Sequence, residues 1–254
     1  MIKMVVSDFD NTMVNYKNGI SDYQIEVLNK LKDKGIVFSI VTGRSVSFFK
    51  QFPKLLEVID YIISSNGGAI YDVRNYKFLY NNCIKRESLE KLISYGISND
   101  FTFVLNELGQ IYKYGNLKKI DSVEFDNNRQ YLCEQIIFYV KKQYFNMIKE
   151  TVNNIDDVVI NNVNNKNDRC TIDINDKSVS KGNSVLWLCK YINISSDDVV
   201  AFGDGENDIS MFKVVGKSIC VDNACMELKK YADEITGSWS ENGVFKYIEN
   251  NILK

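Results

Sequence analysis

Apolar positions along the chain follow two different rhythms, and the change between them divides the sequence. Over residues 1–70 short apolar runs alternate with amphipathic stretches. Residues 2–7, 36–41 and 61–64 predict strands, and residues 21–34 and 45–52 predict helices. The helix at 21–34 carries its own punctuation. Ser21 is placed to cap it, Ile25, Leu28 and Leu31 share one face, and Gly35 ends it. The same rhythm returns near the end of the chain. Helices are expected at 182–191, from 206 to 214, at 225–231 and at 244–250, with strands at 199–202, 217–221 and 233–235. Strands alternating with helices imply right-handed βαβ units and a parallel sheet.

Between residues 81 and 175 the strands are longer and alternate apolar with polar positions. They are expected at 101–106, 110–114, 136–141, 158–163 and 170–174, with helices at 87–97 and 143–153. Such alternation suits an antiparallel sheet with unlike faces. The asparagine-rich segment 161–168 predicts a hairpin turn, and the polar stretches 80–82 and 175–178 predict the two crossings between modules. The fold class expected is therefore α/β, a Rossmann-like parallel sheet core with an inserted α+β domain. The division is residues 1–80 and 180–254 for the core and 81–179 for the insertion.

Composition narrows the chemistry. The chain has 254 residues, 45% of them apolar, which is ample for a sizeable core. Its net charge of −2 gives no basic excess to suggest a nucleic-acid or anionic-membrane partner. The first apolar stretch is interrupted by Lys3 and ends at Asp8, unlike a signal peptide, and the apolar run 136–140 is far too short to span a membrane. Six cysteines without a C-x-x-C pair are expected to be reduced thiols of a cytoplasmic protein. The count of histidines is 0, which excludes Ser-His-Asp and Cys-His catalysis and makes zinc an unsuitable metal. Acid–base work falls to carboxylate, Lys, Tyr or Cys.

The residues able to do chemistry cluster where apolar runs end. Asp8 and Asp10 follow the first strand at i and i+2, so both can aim into the crevice above a parallel sheet, where open α/β folds bind ligands. The plain alternative is a pair of solvated turn carboxylates. Thr42 and Gly43 follow the second strand and offer a hydroxyl and an unhindered N–H to an anion, or else form a simple turn. Lys181 opens a helix, where its charge opposes the helix dipole unless the ammonium reaches an anion; the alternative is a surface lysine. After 199–202 comes Gly203-Asp204-Gly205-Glu206-Asn207-Asp208, too acidic for an ordinary loop. Carboxylates gathered at strand ends repel one another unless a cation or proton lies between them.

Taken together, Asp8-Phe9-Asp10-Asn11-Thr12, Thr42, Lys181 and the 203–208 segment resemble the haloacid dehalogenase-like superfamily. Val41-Thr42-Gly43-Arg44, Ser65-Asn66-Gly67-Gly68-Ala69, Lys181-Gly182 and Glu241-Asn242-Gly243-Val244 are similar to its Cof-type sugar-phosphate phosphatases, and the insertion resembles their class II cap. The double glycine at 67–68 departs from the usual Asn-Gly-Ala and is expected to alter the turn rather than the chemistry. The resemblance implies Asp8 as nucleophile and Asp10 as general acid and base. It implies Thr42, Gly43, Lys181 and Asn207 as phosphate-binding residues. Mg²⁺ would be held by Asp8, the Asp10 carbonyl and Asp204, with Asp208 in support. It further implies a small phosphorylated metabolite as substrate, and a monomer or homodimer. A phosphomutase of the same superfamily and a metabolite-binding regulator without useful turnover are the alternatives.

Overall fold

The computed structural model describes residues 1–14, 19–117 and 121–254. The chain opens with β1 (Met4–Ser7), α1 (Asp22–Asp33) and β2 (Val37–Val41). It continues through α2 (Pro53–Leu56) to β3 (Tyr61–Ser64), β4 (Ala69–Asp72) and β5 (Lys77–Asn81). It then departs into α3 (Arg86–Ser98), β6 (Thr102–Glu107), β7 (Gln110–Tyr114), β8 (Val123–Glu124), β9 (Gln135–Lys141), α4 (Phe145–Asn153), β10 (Val158–Lys166) and β11 (Arg169–Asp176). It returns with α5 (Lys181–Tyr191), β12 (Val199–Gly203), α6 (Ile209–Phe212), β13 (Lys217–Val221), α7 (Met226–Lys229), β14 (Glu234–Thr236) and α8 (Gly243–Tyr247).

The first sheet has the order β14-β13-β12-β1-β2-β3-β4-β5. It is parallel from β14 to β3 and closes with an antiparallel pair at one edge. Every residue of β1 is buried, because helices cover both faces of a parallel sheet and its central strands must be apolar throughout. Helix α1 begins in a capping box in which Ser21 and Gln24 each satisfy the other's backbone N–H. Gly35, at φ +69, lets the chain turn directly back into β2.

The second sheet has the order β10-β11-β9-β6-β7-β8, antiparallel except for the β7–β8 pair. Its strands alternate as their side chains demand. Ile136 and Phe138 of β9, Ile172 and Ile174 of β11, and Phe103 and Leu105 of β6 build a second apolar core with Leu89 and Leu92 of α3 and Ile148 of α4. The opposite face carries Gln135, Asn106, Asp173 and Asn175, also buried. It is buried because it covers the first sheet: Asn175 Nδ2 donates to the Ser65 carbonyl at 2.9 Å. The mixed architecture with a parallel core agrees with the fold class read from the pattern.

Two local expectations need correction. The segment 161–168 is not a turn: residues up to Lys166 belong to β10 and pair with β11, leaving Asn167 (φ +56) and Asp168 to make the reversal. Asparagine is a poor strand former. Here its amides bond across the sheet, Asn161 to Asn175 at 3.1 Å and Asn162 to Asp173 at 3.3 Å. Residues 45–52 form a 3₁₀ turn, Val46–Gln51, because Pro53 starts a new helix at once. The hairpin of β4 and β5, on the edge of the first sheet, has no counterpart in the sequence reading.

The turn after β3 takes three positive φ values in succession, Ser65 (φ 52), Asn66 (φ 58) and Gly67 (φ 105). A Cβ on Gly67 would overlap the carbonyl oxygen of Ser180, so this glycine permits the turn to lie against the start of α5.

Candidate active site

Strands β1 and β12 are parallel neighbours in register, with Ser7 opposite Phe202. Both chains therefore leave the sheet side by side at their C-terminal ends. Asp8 follows one and Asp204 the other. The buried hydroxyl of Thr12 lies 3.1 Å from Asp8 Oδ2 and 3.0 Å from Asp204 Oδ1. A hydroxyl has one hydrogen and can satisfy only one of these two carboxylates.

Beneath them lies Lys181, the first residue of α5, only 1% exposed. Its Nζ is 2.6 Å from Asp8 Oδ1 and 2.6 Å from Asp208 Oδ1. Asp208 is fully enclosed at 0% exposure, and its other oxygen accepts the backbone N–H groups of Asp204 and Gly205, each at 3.0 Å. Asp208 thus locks the 203–208 turn onto Lys181 and has both oxygens engaged.

The charges do not balance. Burial pushes the Asp8 carboxyl well above the ordinary range; Lys181 opposes that rise, and Asp208 and Asp204 add to it. Burial and the neighbouring Asp208 push Asp204 up to about 6. Burial alone would lower Lys181, but the two carboxylates beside it outweigh burial and hold it protonated. Three carboxylates here face one ammonium. One oxygen from each of Asp8, Asp204 and Asp208 lies within 4.8 Å of the others. With Asp208 already saturated, Asp8 and Asp204 remain the oxygen pair facing each other across one shared hydrogen. Hard oxygen ligands in net negative surroundings fit a divalent cation of the Mg²⁺ type.

Asp10 turns away from this cluster. Arg44 grips it with two N–H groups, Nε to Oδ2 at 2.9 Å and Nη2 to Oδ1 at 3.0 Å, while its guanidinium lies 4.5 Å over the Phe48 ring. Thr42 is buried and accepts the Arg44 N–H at 3.1 Å, which leaves its hydroxyl hydrogen to donate elsewhere. Asn207 Nδ2 donates to Asn66 Oδ1 at 3.1 Å, and Asn66 Nδ2 donates in turn to Asp173 Oδ2 at 3.1 Å.

A cavity of about 390 Å³ joins these groups. Asp8, Asp10, Thr42, Gly43, Asp204 and Asn207 line its floor, and Ile137, Tyr139, Asn162, Asn164, Thr171 and Asp173 of the second sheet form its roof. Lys181 and Asp208 lie below the floor; Lys181 borders a smaller neighbouring cavity of about 260 Å³. Asp8, Asp10, Thr42, Gly43, Lys181, Asp204, Asn207 and Asp208 therefore meet at one end of the first sheet.

Four further residues belong to the constellation. Thr12 is one α-turn beyond Asp8, a spacing that brings its hydroxyl back to that carboxylate. Arg44 and Asn66 sit in strand-end turns, within motifs whose sequence assigned them no role of their own. Asp173 has only its alternation with Ile172 and Ile174 as a signal, since nothing local says what its face covers.

The family profile described as haloacid dehalogenase-like hydrolase matches residues 5–248. A phosphoglycolate phosphatase of Methanobrevibacter smithii is 28% identical over 255 residues, covering 99% of each chain. A 5-amino-6-(5-phospho-D-ribitylamino)uracil phosphatase of Bacillus subtilis is 23% identical over 257 residues, covering 99% of this chain and 96% of its own. A haloacid dehalogenase-like hydrolase from Bacteroides thetaiotaomicron has the same fold, with a TM-score of 0.85, 23% identity, and coverage of 98% and 99% of the two chains. The chain belongs to the haloacid dehalogenase-like hydrolases, as its motifs suggested, and its relatives include phosphatases.

Proposed function

We propose that this hydrolase is a Mg²⁺-dependent phosphatase of small phosphorylated metabolites, sugar phosphates among them, acting through an aspartyl-phosphate on Asp8. Residues 1–80 and 180–254 would be the catalytic core and 81–179 the cap that closes over the substrate. The observation that carries the reading is the Asp8–Thr12–Asp204 bridge above Lys181, in a cavity roofed by the second sheet. The named relatives support the reaction type, one acting on the phosphate of a carboxylic acid and the other on that of a polyol.

Asp8 is the nucleophile for phosphorus, its carboxylate held in place by Lys181 at Oδ1. Lys181 uses two of its three donors on carboxylates and keeps the third for a phosphate oxygen. Thr42, Gly43 and Asn207 hold the remaining oxygens along the cavity floor. Asp10, oriented by Arg44, gives a proton to the leaving alcohol and later takes one from the water that cleaves the acyl phosphate. Asp8, Asp204 and the Asp10 carbonyl would hold Mg²⁺, which would supply charge neutralisation between an anionic nucleophile and a phosphate dianion. The roof shields the floor in part from bulk water, which strengthens these charge interactions.

The test is phosphate release across a panel of sugar and polyol phosphates, with Mg²⁺ and after chelation. Wild-type protein is expected to turn over only with the cation, and Asp8→Asn to show no turnover while keeping its fold by circular dichroism. Steady-state release by Asp8→Asn would take the nucleophile's role from Asp8.

A further inference from the structure

The floor of the cavity is built for the phosphate, so the choice of alcohol falls to the roof. Two neighbouring strands of the second sheet supply it. Asn162 and Asn164 come from β10, and Asp173 and Thr171 from β11, with Asn162 opposite Asp173 and Asn164 opposite Thr171 in the antiparallel register. Asparagine and threonine side chains both donate and accept, the combination that reads hydroxyl groups. Asp173 differs from them in carrying charge. It is 6% exposed and sits directly over Gly43, whose Cβ position is 3.4 Å from Asp173 Oδ2. Asn66 and Asn162 both donate to that same Oδ2, at 3.1 Å and 3.3 Å. Oδ1 accepts no hydrogen bond among the described residues. Burial lifts the carboxyl to about 6, which still leaves it chiefly ionised at pH 7.5. Among the described residues lining the cavity Arg44 is the sole cation, and Asp10 holds its guanidinium through two N–H groups.

We propose that Asp173 makes the roof selective for neutral, hydroxyl-rich leaving groups and against leaving groups that bear a carboxylate, a specificity that rests on the phosphatase reading above. Oδ1 accepts a substrate hydroxyl. A substrate carboxylate brought to the same place meets a fixed negative charge in a poorly solvated wall. Like charges juxtaposed there raise the barrier for the wrong substrate more than they help the right one, which is how repulsion sharpens a choice.

The experiment uses a matched pair, glycerol 3-phosphate and 3-phosphoglycerate, which differ by a hydroxymethyl against a carboxylate, with p-nitrophenyl phosphate as a substrate that makes no such distinction. Phosphate release is measured with Mg²⁺ at pH 7.5. Wild type is expected to favour glycerol 3-phosphate in kcat/KM by at least roughly tenfold. Asp173→Asn, nearly isosteric, is expected to reduce that ratio to about threefold or less, chiefly by raising turnover of 3-phosphoglycerate. Asn164→Asp, an exposed change that adds charge to the same wall, is expected to widen the ratio and remains informative if Asp173→Asn does not fold. A wild-type ratio near unity, or ratios unmoved by both variants, would overturn the proposal while turnover of p-nitrophenyl phosphate left the phosphatase reading standing. No release from p-nitrophenyl phosphate or any other monoester would overturn both.

Discussion

The ammonium of Lys181 lies 2.6 Å from Asp8 and, with 1% of its surface exposed, meets no bulk solvent. It has the same separation from Asp208, so one cation is shared by two enclosed carboxylates from distant parts of the chain. Removing one partner of such a group leaves charge in a medium that cannot solvate it. Lys181→Met is therefore expected to destabilise the protein by about 3–5 kcal/mol at pH 7 and by less at pH 5, where Asp8, whose carboxyl burial already raises, takes up a proton. Phosphate release should fall by at least about a thousandfold, since the variant loses both the charge and a donor to the phosphate. Urea unfolding at the two pH values measures the first effect; equal losses at both would show that Asp8 and Asp208 do not depend on this ammonium.

Thr12 donates to one of two carboxylates that both face it, at 3.1 Å and 3.0 Å. Thr12→Val keeps the shape and removes the hydrogen. Groups that orient metal ligands typically contribute about 10–100-fold in affinity, so the Mg²⁺ concentration for half-maximal activity is expected to rise by about that factor. The fold should be retained, because the apolar replacement fills the same volume. A titration with unchanged half-saturation would mean that Asp8 and Asp204 hold their positions without the bridge.

The grip of Arg44 on Asp10 uses two parallel N–H···O contacts, a geometry that lysine cannot reproduce. Arg44→Lys is expected to lower kcat by roughly 10–100-fold with a smaller change in KM, because it loosens the acid–base group more than it weakens phosphate binding. The pair is partly open to solvent, so little change in thermal stability should follow. A variant with normal kcat and a raised KM would move Arg44 from orienting Asp10 to contacting substrate.

These residues were unequally legible in the sequence. Asp8 and Asp204 stood out because buried parallel strands are continuously apolar, and a carboxylate at the end of one interrupts an unmistakable pattern. Ser21 and Gly35 declared the limits of α1 through capping and turn chemistry that act within a few residues. Asp173 gave no such sign. Its position on β11 obeys ordinary alternation, and only the docking of the second sheet over the first turns an apparently exposed face into a buried one. The asparagines from 161 to 166 misled for the same reason: their strand character comes from partners such as Asn175 and Asp173, which composition cannot reveal. The β4–β5 hairpin escaped notice because an edge pair that is partly exposed carries a weak apolar signal.

Glu134 lies at the seam between the two sheets, where a Cβ on Gly68 would come within 3.0 Å of its own Cβ and where its main-chain carbonyl accepts Asn175 Nδ2 at 2.7 Å. Burial raises its carboxyl from 4.5 to about 7, opposed in part by the Leu108 N–H, which donates to Oε2 at 2.9 Å. A folded-state value above the unfolded one means that the native protein binds the proton more tightly. The stability this contributes is complete below about pH 4.5 and is lost as the pH rises through about 7. Glutamine resembles the protonated acid and does not titrate. Between pH 4.5 and 8 the stability of Glu134→Gln relative to wild type is expected to improve by roughly 2–3 kcal/mol, read from urea midpoints at each pH. Asp173 and Asp204 shift in the same direction in both proteins and so cancel in the difference. Parallel stability curves for the two proteins would show that Glu134 gains solvent or a cation at the seam, and that the two sheets part there as the carboxylate forms.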